Sequence, residues 1–424
     1  MHMRILIVID SFFKKSTVTP FRARFFNEYF KAAGHETFIL TSQIDKRDPN
    51  EIFESDTAKK AFYYKAPILY LFTEPIKAVL SKVCKMFGMD VRRDILRQLF
   101  FIPDIYSWTI PWRMLQVLYI CLKEKIDIIF ISASPYSIAF SGYLAKLILR
   151  KPVVLELRDL WDSEDPLFRK RIWLHRKIFD LQHKFVLSYI SRLIVVTRGA
   201  ENFYKSRFPK IKVDYIPSAP HPAIKCKEYK KPEKFNILIC GRSFLDTREP
   251  ALLFAALSKA RFPITIQFVS EGQWYIDYLR KRFDLPENVQ IERLKPIPMA
   301  ELGQYISNAS ILYFAQNKDF KNADKNTAIS SNTYHYITSG RFILADIPPG
   351  DNLDILKNYC NNFCAVLSDD PKEILGIVRN IYGKWEMGEN IVLPPKEKYS
   401  CDYNWGSSSE RLINIFGKVL KYEN

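Results

Sequence analysis

The sequence predicts an α/β chain built from two Rossmann-like domains in tandem, and three observations carry that prediction. Short continuous apolar runs, the pattern of strands buried on both faces, alternate with amphipathic stretches of helical period. That alternation implies parallel sheets flanked by helices. The rhythm halts at one polar, proline-bearing, basic stretch (217–234, PSAPHPAIKCKEYKKPEK) and then restarts, as a linker between two domains would make it do. A length of 424 residues is long for one domain and natural for two.

In chain order, ILIVI (5–9) is the first buried strand, followed by a polar loop (11–20). An amphipathic helix (21–33) then ends at Gly34, and a second strand (36–41) closes a βαβ unit. The loop at 14–19 leaves a strand's carboxyl end, the ligand-facing edge of such sheets. Residues 61–101 break the rhythm by mixing bulky apolar side chains with Lys65, Lys77, Lys82, Lys85, Arg92, Arg93 and Arg97. Two readings fit: a helical patch that inserts into a membrane surface, or a helical pair packed on its own domain with a solvated basic face. The strand IDIIFIS (126–132), a helix (138–149) after Ser134-Pro135-Tyr136, and a strand (153–157) follow. The last of these runs straight into Arg158-Asp159-Leu160-Trp161-Asp162, which places charge at the sheet's carboxyl edge. LIVVT (193–197), a helix (199–206) and a strand (213–217) complete the first half.

After the linker come a strand (235–240), a turn at Gly241-Arg242-Ser243 and a helix (249–260). Further strands at 264–269, 289–294, 311–315 and 342–345 follow, with helices between them. The stretch 329–345, ISSNTYHYITSGRFILA, reads as a small-polar loop (Ser330, Ser331, Asn332), a short helix (333–339), a helix-stopping Gly340 and a buried strand. A loop feeding a helix N-terminus at this edge offers outward backbone N–H groups to phosphate. Two such domains on one linker make a cleft between their facing edges.

Composition narrows the function classes. Hydrophobic residues make up 48% and aromatic residues 14%, which suits large cores and excludes disorder. Neither G-x-G-x-x-G nor the P-loop pattern occurs. A formal net charge of +17 suits nucleic acid, anionic membrane or phosphorylated small molecules. With no zinc finger, RNP-type motif or basic arm, nucleic acid is not expected as a partner, and the charge favours the membrane reading of 61–101. Seven scattered cysteines, an odd number without a framework, suit a reducing compartment. Cys360 and Cys364 could share a helix face, but with no His or further Cys nearby in sequence they read as buried thiols rather than a metal site. The N-terminus reads as a strand rather than a signal peptide, and no run of about 20 apolar residues suggests a transmembrane helix.

Several short motifs together carry a family resemblance. LELRDLW (155–161) resembles the strand end of bacterial glycosyltransferase family 4 and related enzymes of the GT-B fold. SASP (132–135), with Pro103-Asp104 and Trp108, fits the same spacing. GRSFLDTREPALL (241–253) is similar to the turn opening the family's second domain, and SSNTYHYITSGRFILA (330–345) to its donor-binding segment. YNWGSSSERLINIF (403–416) resembles the final helix, which returns to the N-terminal domain. The resemblance implies an acceptor domain (1–225, with the helix at about 404–424) and a donor domain (233–400). It implies a retaining hexosyltransferase that moves sugar from a nucleotide-sugar donor to a glycan acceptor, often lipid-linked, in bacterial surface polysaccharide synthesis. No metal or other cofactor is implied, and no D-x-D stands at a strand end. The expected location is cytoplasmic, peripheral on the inner face of the plasma membrane.

The site residues follow from the same resemblance. Arg242 and Arg248, beside Gly241, would meet the charge developing on the diphosphate leaving group, since Arg forks onto phosphate oxygens. Ser330, Ser331 and Asn332 would supply hydroxyl, amide and backbone donors, and main chain near Leu294 and Lys295 would read the base. Asp159, with Arg158, would orient the acceptor or the transferred sugar. The family's ribose-holding Glu is His335 here, and the first Glu of its pair falls near Thr327. That departure keeps open a non-catalytic relative acting as a binding or scaffold subunit, and the fold alone does not exclude a nucleotide-sugar epimerase or phosphorylase. Each site residue also has a plain structural reading: surface arginines in ion pairs, a strand-end Arg–Asp pair, and a packed helix histidine.

Overall fold

The computed structural model describes residues 2–13, 19–42, 60–64, 102–104, 106–163, 171–241, 249–269, 272–295, 297–316 and 327–423. The chain divides into two compact units, Met1–Pro217 with Trp405–Asn424, and Ser218–Asn404. The stretch expected to be a linker packs with the second unit: Ile224 is buried in its core.

The first unit is a seven-stranded sheet of β1 (Arg4–Ile9), β2 (Glu36–Ser42), β3 (Ala61–Tyr64), β4 (Ile128–Ala133), β5 (Val153–Leu157), β6 (Arg192–Val195) and β7 (Val213–Tyr215). Their spatial order is β3-β2-β1-β4-β5-β6-β7. Every pairing is parallel, as in β1 and β4, where Ile5 lies opposite Ile128. Parallel strands need crossovers, and helices supply them on both faces. Ile110–Lys123, Tyr143–Leu149 and Trp173–Tyr189 build one hydrophobic core with the sheet. Thr19–Ala32 and Trp405–Glu423 close the other face, where Phe25 stacks on Trp405 at 4.8 Å.

The second unit has six parallel strands: β8 (Asn236–Cys240), β9 (Ile264–Val269), β10 (Val289–Leu294), β11 (Ile311–Ala315), β12 (Ile343–Asp346) and β13 (Phe363–Val366). Their order is β10-β9-β8-β11-β12-β13. In both sheets the strand order reverses direction beside the first strand of the unit, the switch point where open α/β sheets place ligands.

Two expectations need correction. Residues 61–64 do not begin a helix; they form β3, pairing with β2 from Ile39↔Ala61 onward. Phe62 and Tyr64 pack on the core of one face and Ala61 and Tyr63 on that of the other, as suits a strand covered on both sides. The rest of that stretch, 65–101, lies outside the described residues, as does loop 14–18. Cys360 and Cys364 share no helix: Cys360 caps Asp351–Tyr359 and Cys364 sits within β13. All six described cysteines are free thiols.

Candidate functional site

In the second unit, the N-terminus of helix Ser331–Ser339 is tied to the exit of β8. Asn332 Nδ2 donates to the Cys240 carbonyl at 2.8 Å, and the Cys240 N–H donates to the Tyr336 hydroxyl at 3.1 Å. Asn332 and Tyr336 stand four apart, so one helix face reads both backbone groups of the last strand residue. Gly241 follows with φ +91°, in the left-handed region that favours glycine, and a Cβ there would lie 3.3 Å from Asn332 Nδ2. Ser330 caps the helix, its hydroxyl facing the Asn332 N–H at 3.4 Å. Gly241, Ser330, Ser331 and Asn332 are thus brought together around one helix N-terminus, a ready site for an anion. The helix ends as its sequence predicts, at Gly340 with φ +69°.

A second layer holds this loop in place. Asn352 accepts from Thr333 Oγ1 at 2.8 Å and donates to Gln316 Oε1 and the Ala328 carbonyl, each at 2.9 Å. Tyr313 donates to buried Asp346 at 2.8 Å. None of these residues was legible as a site element, because each polar bond joins positions far apart in sequence. Arg242 and Arg248 fall in 242–248, outside the described residues. Lys295 is exposed just past β10, the edge strand two places from β8.

His335 is buried, at 3% exposure, on the same helix. Among the described residues its Nδ1 has no hydrogen-bond partner. Burial, helped by nearby His221, pushes its pKa down to about 4, so the ring is neutral at pH 7. A neutral imidazole can donate or accept one hydrogen bond at that nitrogen. Thr327, where the family's first Glu would fall, is also buried.

In the first unit, Arg158 leaves β5 and turns back, its Nη2 donating to the Ser134 carbonyl at 2.9 Å. Burial lowers its pKa, while the charges of Asp159 and Glu156 oppose that shift. Asp159 is exposed beside it. The two therefore sit together at the sheet's carboxyl edge, one anchored and one open to solvent. Trp161, two residues on, is a core pillar rather than a ligand contact, stacked 5.0 Å from His183.

Two polar groups at this sheet escaped sequence reasoning. Glu156, wholly buried, pairs with Arg22 at 2.6 Å and accepts from Ser132 at 2.7 Å. Arg22 also donates to the Pro217 and Ile216 carbonyls at 2.6 and 2.8 Å, so the pair fastens the end of the unit's chain. At the exits of β1 and β3, Tyr64 donates to Asp10, and the Arg113 guanidinium lies 5.3 Å over the Tyr64 ring. Arg113 is completely buried, with Nη2 donating to Ser137 Oγ at 2.9 Å. An i, i+4 pattern marks Arg113 as core-facing, but nothing in the sequence links it to Tyr64.

Among the described residues, no group of three His, Cys, Asp or Glu side chains is gathered as a metal site would need. A groove of about 680 Å³ lies in the second unit between Lys230, Lys234, Gln267, Glu292 and Tyr305, and includes none of the predicted donor residues.

No family model matches the chain, and no curated protein matches it in sequence. Solved structures do match it in fold. The chain is similar to sucrose-phosphate synthase from Thermosynechococcus elongatus, with a TM-score of 0.69 at 12% identity over 99% of this chain and 100% of that one. It is similar to Anabaena HepE, solved in complex with UDP-glucose, with a TM-score of 0.64 at 11% identity over 98% and 100%. It is also similar to UDP-GlcNAc 2-epimerase from Methanocaldococcus jannaschii, with a TM-score of 0.54 at 11% identity over 99% and 100%. The architecture is therefore GT-B, two Rossmann-like domains in one chain.

Proposed function

We propose that this chain is a glycosyltransferase of family 4-like, hexosyltransferase type. It moves a sugar with retention, and without a metal, from a nucleotide-sugar donor to a glycan acceptor of bacterial surface polysaccharide. One observation carries the donor half of this reading: the Ser330-capped helix N-terminus joined through Asn332 to the Cys240–Gly241 turn. Anionic oxygens gain charge as a diphosphate leaves, and donors fixed before the reaction stabilise that charge without reorganising. The Ser330 hydroxyl and the Ser331 backbone N–H would hold the diphosphate, with the Asn332 side-chain amide beside them and Arg242 and Arg248 on its outer oxygens. His335 would take the ribose through its unpartnered Nδ1, and main chain at Lys295 the base. Asp159, with Arg158 anchored beside it, would orient the acceptor or transferred sugar. The resemblance to family 4 and the charge of +17 support a lipid-linked acceptor and a protein peripheral on an anionic cytoplasmic membrane face.

The test is incubation with a panel of nucleotide sugars. Slow release of free nucleotide from one donor, faster with a glycan acceptor, is the expected result. The similarity to UDP-GlcNAc 2-epimerase favours a second reading, which the same assay separates: an epimerase would interconvert donor sugars. A scaffold subunit, suggested by the Glu-to-His change at His335, would do neither.

A further inference from the structure

Among the described residues sixteen large apolar side chains are exposed, and eleven of them lie on or just before three helices of the first unit. Trp108, Trp112, Leu115, Tyr119 and Leu122 are each 45–60% exposed. Their spacing of i, i+4, i+7, i+11 and i+14 puts them on one face along Ile110–Lys123. The opposite face, with Val117, Ile120 and Cys121, packs on the sheet. Trp173–Tyr189 repeats the device: exposed Leu174, Leu181 and Phe185 with half-buried Ile178 form an outer stripe, while Phe179 and Val186 face the core. Exposed Leu147 and Ile148 lie on the helix between them.

These stripes belong to one surface. The crossovers β3 to β4, β4 to β5 and β5 to β6 all step in the same direction across the sheet, so right-handed connections set their helices side by side on one face. Phe185 meets Tyr143 at 4.8 Å, joining two of the helices directly. An apolar surface of this extent marks an interaction site rather than scattered exposure.

Charge selects the occupant. The three helices carry Lys123, Lys146, Lys177 and Lys184 against one acid, Asp180, and Glu124 just past the first helix pairs with Lys123 at 3.6 Å, so the face keeps a net positive charge. The Lys177 ammonium sits 4.2 Å over the Trp173 ring. A second copy would bring the same lysines against these, whereas an anionic bilayer complements them. Trp and Tyr, with an apolar body and a polar edge, are the residues that settle at a membrane–water interface. We propose that this three-helix face docks the protein on an anionic lipid bilayer. Trp112 and Trp173 both lie at helix N-termini, on the carboxyl edge of the sheet that also carries Arg158 and Asp159. Docking would therefore bring that polar edge to headgroup level, which rests on the membrane-linked acceptor proposed above.

The experiment compares the full chain on phosphatidylcholine vesicles with and without phosphatidylglycerol. Binding to the anionic vesicles, weakened by salt, is expected, with Trp emission quenched by brominated acyl chains. Combined Trp112→Ser, Leu115→Ser and Tyr119→Ser should lower that binding at least tenfold, with an unchanged melting temperature and unchanged release of nucleotide from a soluble donor. Failure of nucleotide release with vesicle binding intact would count against the donor reading and leave the docking face standing. Unchanged vesicle binding in the triple variant would overturn the docking face. So would its loss only on charge reversal at Lys77, Lys82, Lys85, Arg92 and Arg93, or sedimentation as a dimer that the triple variant dissociates. Tryptophans shielded from a soluble quencher before lipid is added would also overturn it, because another part of this chain would then cover the face.

Discussion

Replacing Asn332 separates a structural role of this residue from a role in holding a ligand. Its amide donates to the Cys240 carbonyl at 2.8 Å and so fixes the turn at Gly241. Asn332→Ala removes one neutral hydrogen bond at a half-buried site, which costs about 1 kcal/mol of stability. Asn332→Asp is the sharper change. A carboxylate in the first helical turn favours the helix dipole by about 0.3–1 kcal/mol, so helix energetics alone predict a mild effect. A diphosphate bound at that N-terminus predicts otherwise. Two unit charges about 8 Å apart in a medium of effective dielectric about 20 repel by about 2 kcal/mol, or about 30-fold in affinity. Calorimetric titration with UDP, GDP and ADP should therefore rank wild type above Asn332→Ala, and Asn332→Ala above Asn332→Asp. Equal affinity in wild type and Asn332→Asp, with both folded, would refute anion binding at this helix.

Other outcomes follow from the proposed donor site and from the packing around it. Arg248→Ala should weaken nucleoside diphosphate by about 1.5–3 kcal/mol, as for a hydrogen bond to a charged group; unchanged affinity in both Arg242→Ala and Arg248→Ala would remove their diphosphate role. His335→Ala should lower nucleotide affinity and, because it empties a buried site, the melting temperature as well; a lower melting temperature with affinity intact would make His335 a core residue alone. His335 and His183 have folded pKa values lowered to about 4 and about 3 by burial, so the unfolded chain binds protons more readily. The stability contributed by their neutral rings is full above about pH 6.5 and is lost as pH falls towards those values, by about 2 kcal/mol for each histidine at pH 5. Urea midpoints at pH 7 and pH 5 should show this, and His335→Gln should flatten the difference. Gly340→Ala should destabilise by more than about 2 kcal/mol, since the left-handed conformation already costs an L residue about 1–2 kcal/mol. In addition its Cβ would lie 2.7 Å from the Leu393 carbonyl and 2.9 Å from Cys226 Sγ; a urea midpoint equal to wild type would contradict that geometry.

Much of the sheet framework was legible because strands buried on both faces are written as apolar runs. ILIVI, IDIIFIS and FNILIC fall on β1, β4 and β8 with small shifts at their ends. β3 and β13 were missed because they are edge strands with three of four residues only half-buried, so neither is written as a fully buried apolar run the way β12, of equal length, is. The helix predicted at 138–149 opens as a tighter 3₁₀ turn over Tyr136–Gly142, and Gly142 lies there with a Cβ position 3.0 Å from Val153. In the candidate site, local chemistry could be read directly: the Ser330 cap, the Gly340 stop and the glycine after β8. What could not be read were bonds between distant positions, such as Asn332 to Cys240, Arg22 to Glu156 and Tyr64 to Asp10. A side chain's partner across the fold is set by topology, and no spacing within one segment records it. The exposed stripe on Ile110–Lys123 went unnoticed for a different reason. Its periodicity looks like any amphipathic helix until the structure shows that its apolar residues occupy both faces.

The central claim is that a nucleoside diphosphate binds at the second unit's Gly241 and Ser330–Asn332 cluster. Amide hydrogen exchange with and without saturating nucleoside diphosphate tests it most directly, because the claim names the backbone N–H groups involved. Slowed exchange is expected at residues 240–241 and 331–333, lost in Asn332→Asp. Protection confined to the first unit, or none at 331–333 under saturation, would contradict it.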